Sequence, residues 1–235
     1  PIDQVVNEVT KLSENGALEV TLLGQNVDSY GHDLMPKKDL SDLMYAIHEI
    51  KKLLRIRFLT SHPNDMSLKL IETIRDLPKV CKFINLPFQA GSNRILANMR
   101  RGYTRDQFLR KVDQIRNLVP DTTLTTDLIV GFPGETEKDF ADSMDILNKV
   151  KFDKVHVAAY SERKGTFAFR KIEDDIPKQE KRRRLNTVNE LQEKIQLELN
   201  KKFLSKYYDV LVEGTIRNKI YGRSEGDKLV YLQNY

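Results

Sequence analysis

Five short polar stretches hold residue types suited to gripping a small ligand: Gly24-Gln25-Asn26, Thr60-Ser61-His62-Pro63, Gln89-Ala90-Gly91-Ser92, Gly131-Phe132-Pro133-Gly134-Glu135, and Ser161. Amide, hydroxyl and imidazole groups supply hydrogen-bond donors and acceptors, and glycine lets bare main chain approach a ligand. Tight turns explain the glycines and prolines but account poorly for Gln25, Asn26 and Gln89, so the set reads as the rim of one pocket. Asp127 alternates with apolar neighbours in "TTDLIVG" and, by the two-residue period of a strand, is expected to face that pocket. His62, between an apolar run and a proline, is a candidate base or phosphate contact, with a backbone-bonded loop histidine as the alternative. His32, His48 and His156 lack metal-ligand spacing and read as structural. Cys81 falls at the start of a strand, on the wrong end for the pocket, and reads as buried core.

The elements that position these residues follow from periodicity. Strands are expected at 18–23 ("LEVTLL"), 55–59 ("RIRFL"), 82–87 ("KFINLP"), from about 123, and at 154–160 ("KVHVAAY"), with a helix in every gap. The helical stripes are Val5, Val6, Val9 and Leu12 before Gly16, then Leu40, Leu43, Met44, Ile47 and Leu54 after Asp39. Leu70, Ile71, Ile74 and Leu77 follow Ser67, and Ile95, Leu96 and Met99 follow a Ser92 cap. Thr104 with Gln107 and Thr136 with Asp139 sign two further helix starts. Strand–helix alternation of this kind implies an α/β fold with a parallel sheet, open or closed into a barrel, joined by right-handed crossovers. In such folds ligands bind at the carboxyl ends of the strands, where all five polar stretches fall. A chain that opens on a helix implies one more strand before Pro1, six in all.

After Tyr160 the pattern changes. A polar loop leads to Pro177, which suits the first turn of a helix running from about Lys178 to Leu204 with Leu185, Val188, Leu191, Ile195 and Leu199 as its stripe. "YDVLVEGTI" and "KLVYL" then read as two strands. About thirty residues are too few for an independent β domain, so this piece is expected to pack on the main body or to continue past Tyr235.

The 235 residues are 40% hydrophobic and 31% charged, with a net charge of +5. Residues 170–235 hold 15 Lys and Arg against 11 Asp and Glu, which puts +4 of that excess in the last third and is compatible with a polyanionic partner there. No apolar run approaches the ~20 residues of a membrane span. The single cysteine excludes an internal disulfide framework and suits a reducing cytoplasm, so a cytoplasmic location is expected.

The ordered motifs "VTLLGQNVDSYG", "IRFLTSHP", "LPFQAGSNRILANMRRGYTR", "TTDLIVGFPGETEKDF" and "FDKVHVAAYSERKGT" resemble those of the radical S-adenosylmethionine methylthiotransferases and cover residues 1 to about 170. "LLGQNVDSYG", "RIRFLTSHP" and "LVEGTIRNK" are most similar to the subgroup acting on an isopentenylated adenosine beside the tRNA anticodon. The resemblance implies a partial (β/α)6 TIM-like barrel with its linker helix (1–201), then the start of a small β module, the RNA-binding TRAM domain (204–235). It implies S-adenosylmethionine and two [4Fe-4S] clusters as cofactors, and tRNA, an electron donor and a sulfur source as partners. A ribosomal-protein aspartate methylthiotransferase and a cluster-free RNA-binding module are the rival readings.

The resemblance also implies roles for residues. Gln25, Asn26, Ser61 and Gln89 would hydrogen-bond the cofactor's ribose and amino-acid part, with Asp127 facing the same pocket. The main chain at Val130, Gly131 and Phe132 would hold its adenine, through bare amides and the Phe132 ring. Arg100, Arg101 and the basic helix, Arg183 included, would meet tRNA phosphates, with His62 as a further substrate contact. The family binds its radical-generating cluster through Cys-x3-Cys-x2-Cys and a second cluster through three more cysteines. Neither set occurs here, so the chain reads as a fragment lacking its first strand and both cluster sites, inactive by itself.

Overall fold

The computed structural model describes residues 1–59 and 61–232; Thr60 and the last three residues of the expected TRAM segment lie outside the described residues. The chain divides into two compact units. Residues 1–84, 115–123 and 205–235 form unit 1, and residues 85–114 and 124–204 form unit 2.

Unit 1 begins with helix α1 (Ile2–Glu14), which stops at Gly16, whose φ of +99° is open to glycine at little cost. Strands β1 (Glu19–Leu22) and β2 (Arg55–Phe58) pair in parallel, Glu19 opposite Arg55 and Leu22 opposite Phe58. Helix α2 (Leu40–His48) joins them behind a capping box built by Asp39 and Asp42. Leu54 is not on α2: its amide donates to Leu18 O at 2.8 Å, recruiting it to the strand pairing, and it is exposed. Helix α3 (Leu68–Asp76) starts at a Ser67 cap whose hydroxyl accepts from the Leu70 amide. Met44, Ile47, Ile56, Phe58, Ile71 and Ile74 are fully buried and make the core of this unit.

Strand β3 (Phe83–Asn85) heads a three-stranded sheet in the order β3–β4–β5, with β4 (Thr123–Val130) and β5 (Lys154–Ala159) parallel. Along the chain α4 (Asn93–Asn98) and α5 (Arg105–Leu118) lie between β3 and β4, and α6 (Glu137–Val150) lies between β4 and β5. Ser92 precedes α4 but does not cap it, because its hydroxyl donates to Asp139 Oδ1 at 2.5 Å. Both expected capping boxes form: Thr104 with Gln107 and Thr136 with Asp139. Phe88, Phe108 and Phe152 pack as a buried aromatic cluster, Phe88 stacked on Phe152 at 5.8 Å.

Helix α7 (Phe167–Lys171) interrupts the expected polar loop. Helix α8 (Lys178–Asn200) follows Pro177, gives way to a 3₁₀ turn at Lys201–Phe203, and packs on β5 and α6. The chain then returns to unit 1 with an antiparallel sheet of three strands, β6 (Val210–Ile216), β7 (Lys219–Ser224) and β8 (Leu229–Leu232). Two strands were expected; Arg217 and Asn218, both at positive φ, form the tight hairpin turn that makes the third. The small sheet packs on residues 1–84. Arg55 Nη1 donates to Arg223 O at 2.7 Å, Arg57 Nη1 to Glu225 O at 3.0 Å, and the Lys82 amide to Glu225 Oε1 at 3.0 Å. Among the described residues no helix is long and apolar enough to cross a membrane.

Candidate cofactor and substrate cavity

Unit 2 holds a cavity of about 580 Å³ at the exposed face and carboxyl ends of β4 and β5, within the range of small-molecule sites. Gln89, Asp127, Phe132, Arg100 and Arg101 all line it. Gln89 sits at φ +62°, held there on both sides: its amide donates to Asp127 O at 2.9 Å and its carbonyl accepts from Ile129 N at 3.0 Å. A non-glycine residue held in the left-handed region by its neighbours is a device for aiming a side chain. Its amide side chain meets no protein partner among the described residues, so its hydrogen bonds are available to a ligand.

Phe132 and Tyr160 stand edge to face at 5.1 Å and make an aromatic wall. Arg100, also at positive φ, lays its guanidinium 3.6 Å over the Phe167 ring. Arg101 also lines the cavity, and its Nε is buried without a hydrogen-bond partner. The cavity therefore combines an aromatic wall, the unpaired Gln89 amide, the Asp127 carboxylate with one oxygen held by Asn85, and a cationic rim, a set complementary to an adenosyl group bearing charged substituents.

The turn after β4 is built differently from expectation. Val130 and Gly131 are buried and do not line the cavity. The Gly131 amide is not bare, since it donates to Glu135 Oε2 at 2.6 Å. Glu135 in turn receives Arg184 Nη1 from α8 at 2.7 Å, and burial raises its pKa. Gly131 is required because its φ is +68° and a Cβ there would lie 2.4 Å from Lys181 Cγ. The tightness serves the seat of α8, and only Phe132 of the three faces the cavity.

Asn26, Ser61 and His62 come together in unit 1 around two carboxylates that the sequence reading left out. Asp28 is buried and accepts from Ser61 Oγ at 3.2 Å and from the His62 amide at 3.3 Å; burial pushes its pKa up to about 7. The Asn26 side chain donates to Asp65, and its Oδ1 is buried without a partner. His62 Nδ1 accepts from the Asn64 amide at 3.3 Å and lies 3.9 Å from Asp65, the backbone-bonded loop histidine of the alternative reading. Gln25 is exposed and belongs to no cluster.

Arg183, expected at phosphate, is held by Glu137 Oε2 and Glu180 Oε1, each at 2.7 Å, and the buried Arg184 is no more available, so these two arginines do not form a polyanion patch. His156, expected to be structural, is exposed and lines the cavity opposite Asp127. The signal was present: the inward assignment of Asp127 carries its parallel neighbour on β5 with it.

The Radical SAM superfamily model matches residues 1–147. The chain belongs to the radical SAM superfamily. Members of this superfamily use S-adenosylmethionine and a [4Fe-4S] cluster. The chain is 49% identical over 233 residues, 99% of its length, to tRNA-2-methylthio-N(6)-dimethylallyladenosine synthase of Dehalococcoides mccartyi strain CBDB1. It is 48% identical over 240 residues to the protein of the same name from Chloroflexus aurantiacus. It covers 56% and 51% of those two proteins, so the chain spans about half the length of the curated relatives it matches. Coproporphyrinogen III oxidase from Escherichia coli, a radical SAM enzyme, superposes with a TM-score of 0.60 at 17% identity, over 83% of this chain and 46% of that one. That likeness shows the TIM-like radical SAM fold alone.

The residues present fit the nucleoside cofactor but not the cluster. The cavity offers S-adenosylmethionine an aromatic wall and unpaired polar side chains. A [4Fe-4S] cluster takes several thiolates, whereas Cys81 is the single cysteine, 1% exposed, its thiol pushed up to about 12 by burial. Among the described residues no group of three or more His, Cys, Asp or Glu is placed to hold a metal ion.

Proposed function

We propose that this chain forms the S-adenosylmethionine-binding core of a tRNA methylthiotransferase, which adds a methylthio group to C2 of N6-isopentenyladenosine beside the anticodon. The observation that carries this reading is 49% identity, sustained across 99% of the chain, with a relative of that name. In the intact enzyme two [4Fe-4S] clusters, an electron donor and a sulfur source complete the system, and tRNA as substrate implies a cytoplasmic location.

The part played by this chain is binding and orientation. Phe132, braced by Tyr160, packs against an adenine face, and Gln89 hydrogen-bonds the ribose or amino-acid part. Arg100 and Arg101 meet carboxylate or phosphate at the rim. In unit 1, Gln25, Asn26 and Ser61 offer hydrogen bonds of the same kind, the Asn26 Oδ1 being already unpartnered. The antiparallel sheet β6–β7–β8, with Val212 and Tyr231 exposed on it and Tyr208 exposed just before β6, is read as the start of an RNA-binding TRAM module. When bound, S-adenosylmethionine supplies the superfamily's hydrogen-abstracting radical and, for methylthio transfer, the methyl group.

Deleting the coding sequence from its host and digesting total tRNA for mass spectrometry tests the reading. The expected result is loss of the methylthiolated nucleoside with accumulation of N6-isopentenyladenosine. Unchanged tRNA nucleosides, with loss of methylthio-aspartate from a ribosomal protein, would overturn it.

A further inference from the structure

Asp127 and His156 are register partners across the parallel β4–β5 pair. Partners in a parallel pair project from the same sheet face, and both line the cavity. Asn85, on the neighbouring strand β3, donates from Nδ2 to Asp127 Oδ2 at 3.2 Å and accepts at Oδ1 from Thr125 Oγ1 at 3.2 Å. That pair of bonds fixes the sense of the Asn85 amide and holds the Asp127 carboxylate in place. Asp127 Oδ1 and both ring nitrogens of His156 have no hydrogen-bond partner among the described residues. The next pair on this face, Ile129 and Ala158, is apolar and supplies a floor.

An unpaired carboxylate oxygen beside a ring that carries an N–H is an acceptor next to a donor. The matching ligand edge has a donor next to an acceptor. Adenine has that edge in its exocyclic N–H and adjacent ring nitrogen, and an N6-alkylated adenine keeps one such N–H. With the nucleoside held in the same orientation, guanine presents a carbonyl oxygen where adenine presents the N–H and an N–H where adenine presents the ring nitrogen, so both contacts become unfavourable.

We propose that Asp127 and His156 form an adenine-edge reader, with Asn85 as its positioning residue. The proposal rests on the reading of this cavity as an adenosyl site. Both S-adenosylmethionine and the substrate nucleoside carry such an edge, and the experiment separates the two sources.

The test is titration of the 235-residue chain by saturation-transfer NMR with adenosine, guanosine, S-adenosylmethionine and N6-isopentenyladenosine. The chain is compared with Asp127→Leu, His156→Phe and Asn85→Ala, each checked for folding by circular dichroism. His156 is exposed, so His156→Phe keeps the test available if a change at Asp127 disturbs the sheet. Adenosine is expected to bind at least about tenfold tighter than guanosine, with the ratio falling to about twofold in Asp127→Leu and His156→Phe. Asn85→Ala is expected to lower the ratio by a smaller factor, an effect that a merely structural role would not have. Parallel weakening of S-adenosylmethionine assigns the edge to the cofactor, and weakening of N6-isopentenyladenosine alone assigns it to the substrate. An unchanged ratio in both variants overturns the reader and leaves the adenosyl site standing. Failure of every adenosyl probe to bind overturns both.

Discussion

Glu135 and Arg184 form a buried ion pair at 2.7 Å, with side-chain exposures of 0% and 5%. Glu135 closes the turn after β4 through the Gly131 amide, and Arg184 reaches it from α8, also donating to the Glu135 carbonyl at 3.0 Å. The pair thus ties the sequence-distant helix to the turn that carries Phe132. Breaking such a pair from one side leaves a charge in a dry site. Arg184→Met is expected to cost about 3–5 kcal/mol in urea unfolding. Glu135→Leu combined with Arg184→Met removes both charges and is expected to recover part of that loss. A double variant no better than Arg184→Met would sink the assignment.

Gly131→Ala probes the same turn without touching a charge. The alanine must hold a φ of +68° and set its Cβ 2.4 Å from Lys181 Cγ. Lys181 is itself fixed by Asp174 and sits 5.1 Å over the Tyr160 ring, so it has little room to give. The backbone penalty alone is about 1–2 kcal/mol, and a loss larger than this is expected in denaturant titration. Gly165→Ala is the control, with φ +88° but nothing within 4 Å of the added carbon. Equal losses at both positions would show that the Lys181 contact contributes nothing.

Strand-end residues were legible because alternation alone says where the carboxyl ends of a parallel sheet lie, and that rule brought Gln89, Asp127 and Phe132 to one cavity. The family and the TIM-like fold were legible in the motifs as well. Other features depended on partners far along the chain. The demand for glycine at 131 comes from Lys181, fifty residues on, so a turn read as bare main chain proved to be occupied by Glu135 and α8. Nothing local marks the loop residue Asp28 as buried, because its partner Ser61 comes from another strand end. His156 has no metal-ligand spacing to mark it, and its place beside Asp127 on the cavity is set by sheet register, which spacing along the chain does not show. The β7 strand was hidden by Gly222, whose absent side chain admits the Leu211 carbonyl, at 2.2 Å from where a Cβ would sit.

Asp28 gives unit 1 a pH dependence of defined sign. Its pKa is raised from 3.8 to about 7, chiefly by burial, so the folded state holds a proton that the unfolded chain has already released. Stability from this group is full below about pH 4 and falls as pH rises to about 7, because the native carboxyl must then ionise in a dry site. The whole effect is on the order of 4 kcal/mol. Glu135, also raised by burial, contributes with the same sign, so the comparison with Asp28→Asn isolates Asp28. Urea midpoints measured from pH 4 to 8 are expected to decline less steeply in Asp28→Asn than in the parent. Superimposable profiles would remove Asp28 as the cause.

Cys81 supplies the remaining prediction, and it separates this chain from the chemistry of its superfamily. The thiol is 1% exposed and pushed up to about 12 by burial, which outweighs the opposite pull of the Arg57 charge. A thiolate is the reactive and metal-binding form, so the native side chain is expected to resist Ellman's reagent and to react fully in urea. One buried thiol also cannot replace the set of thiolates that a [4Fe-4S] cluster needs. Anaerobic reconstitution of the 235-residue chain with iron and sulfide is therefore expected to leave neither stoichiometric bound iron nor 5′-deoxyadenosine formation from S-adenosylmethionine. S-adenosylmethionine binding should survive, and Phe132→Ala should weaken it, since the aromatic wall is independent of the cluster. Cluster absorbance that persists after desalting, together with deoxyadenosine product, would overturn the reading that the residues of this chain do not fit a cluster.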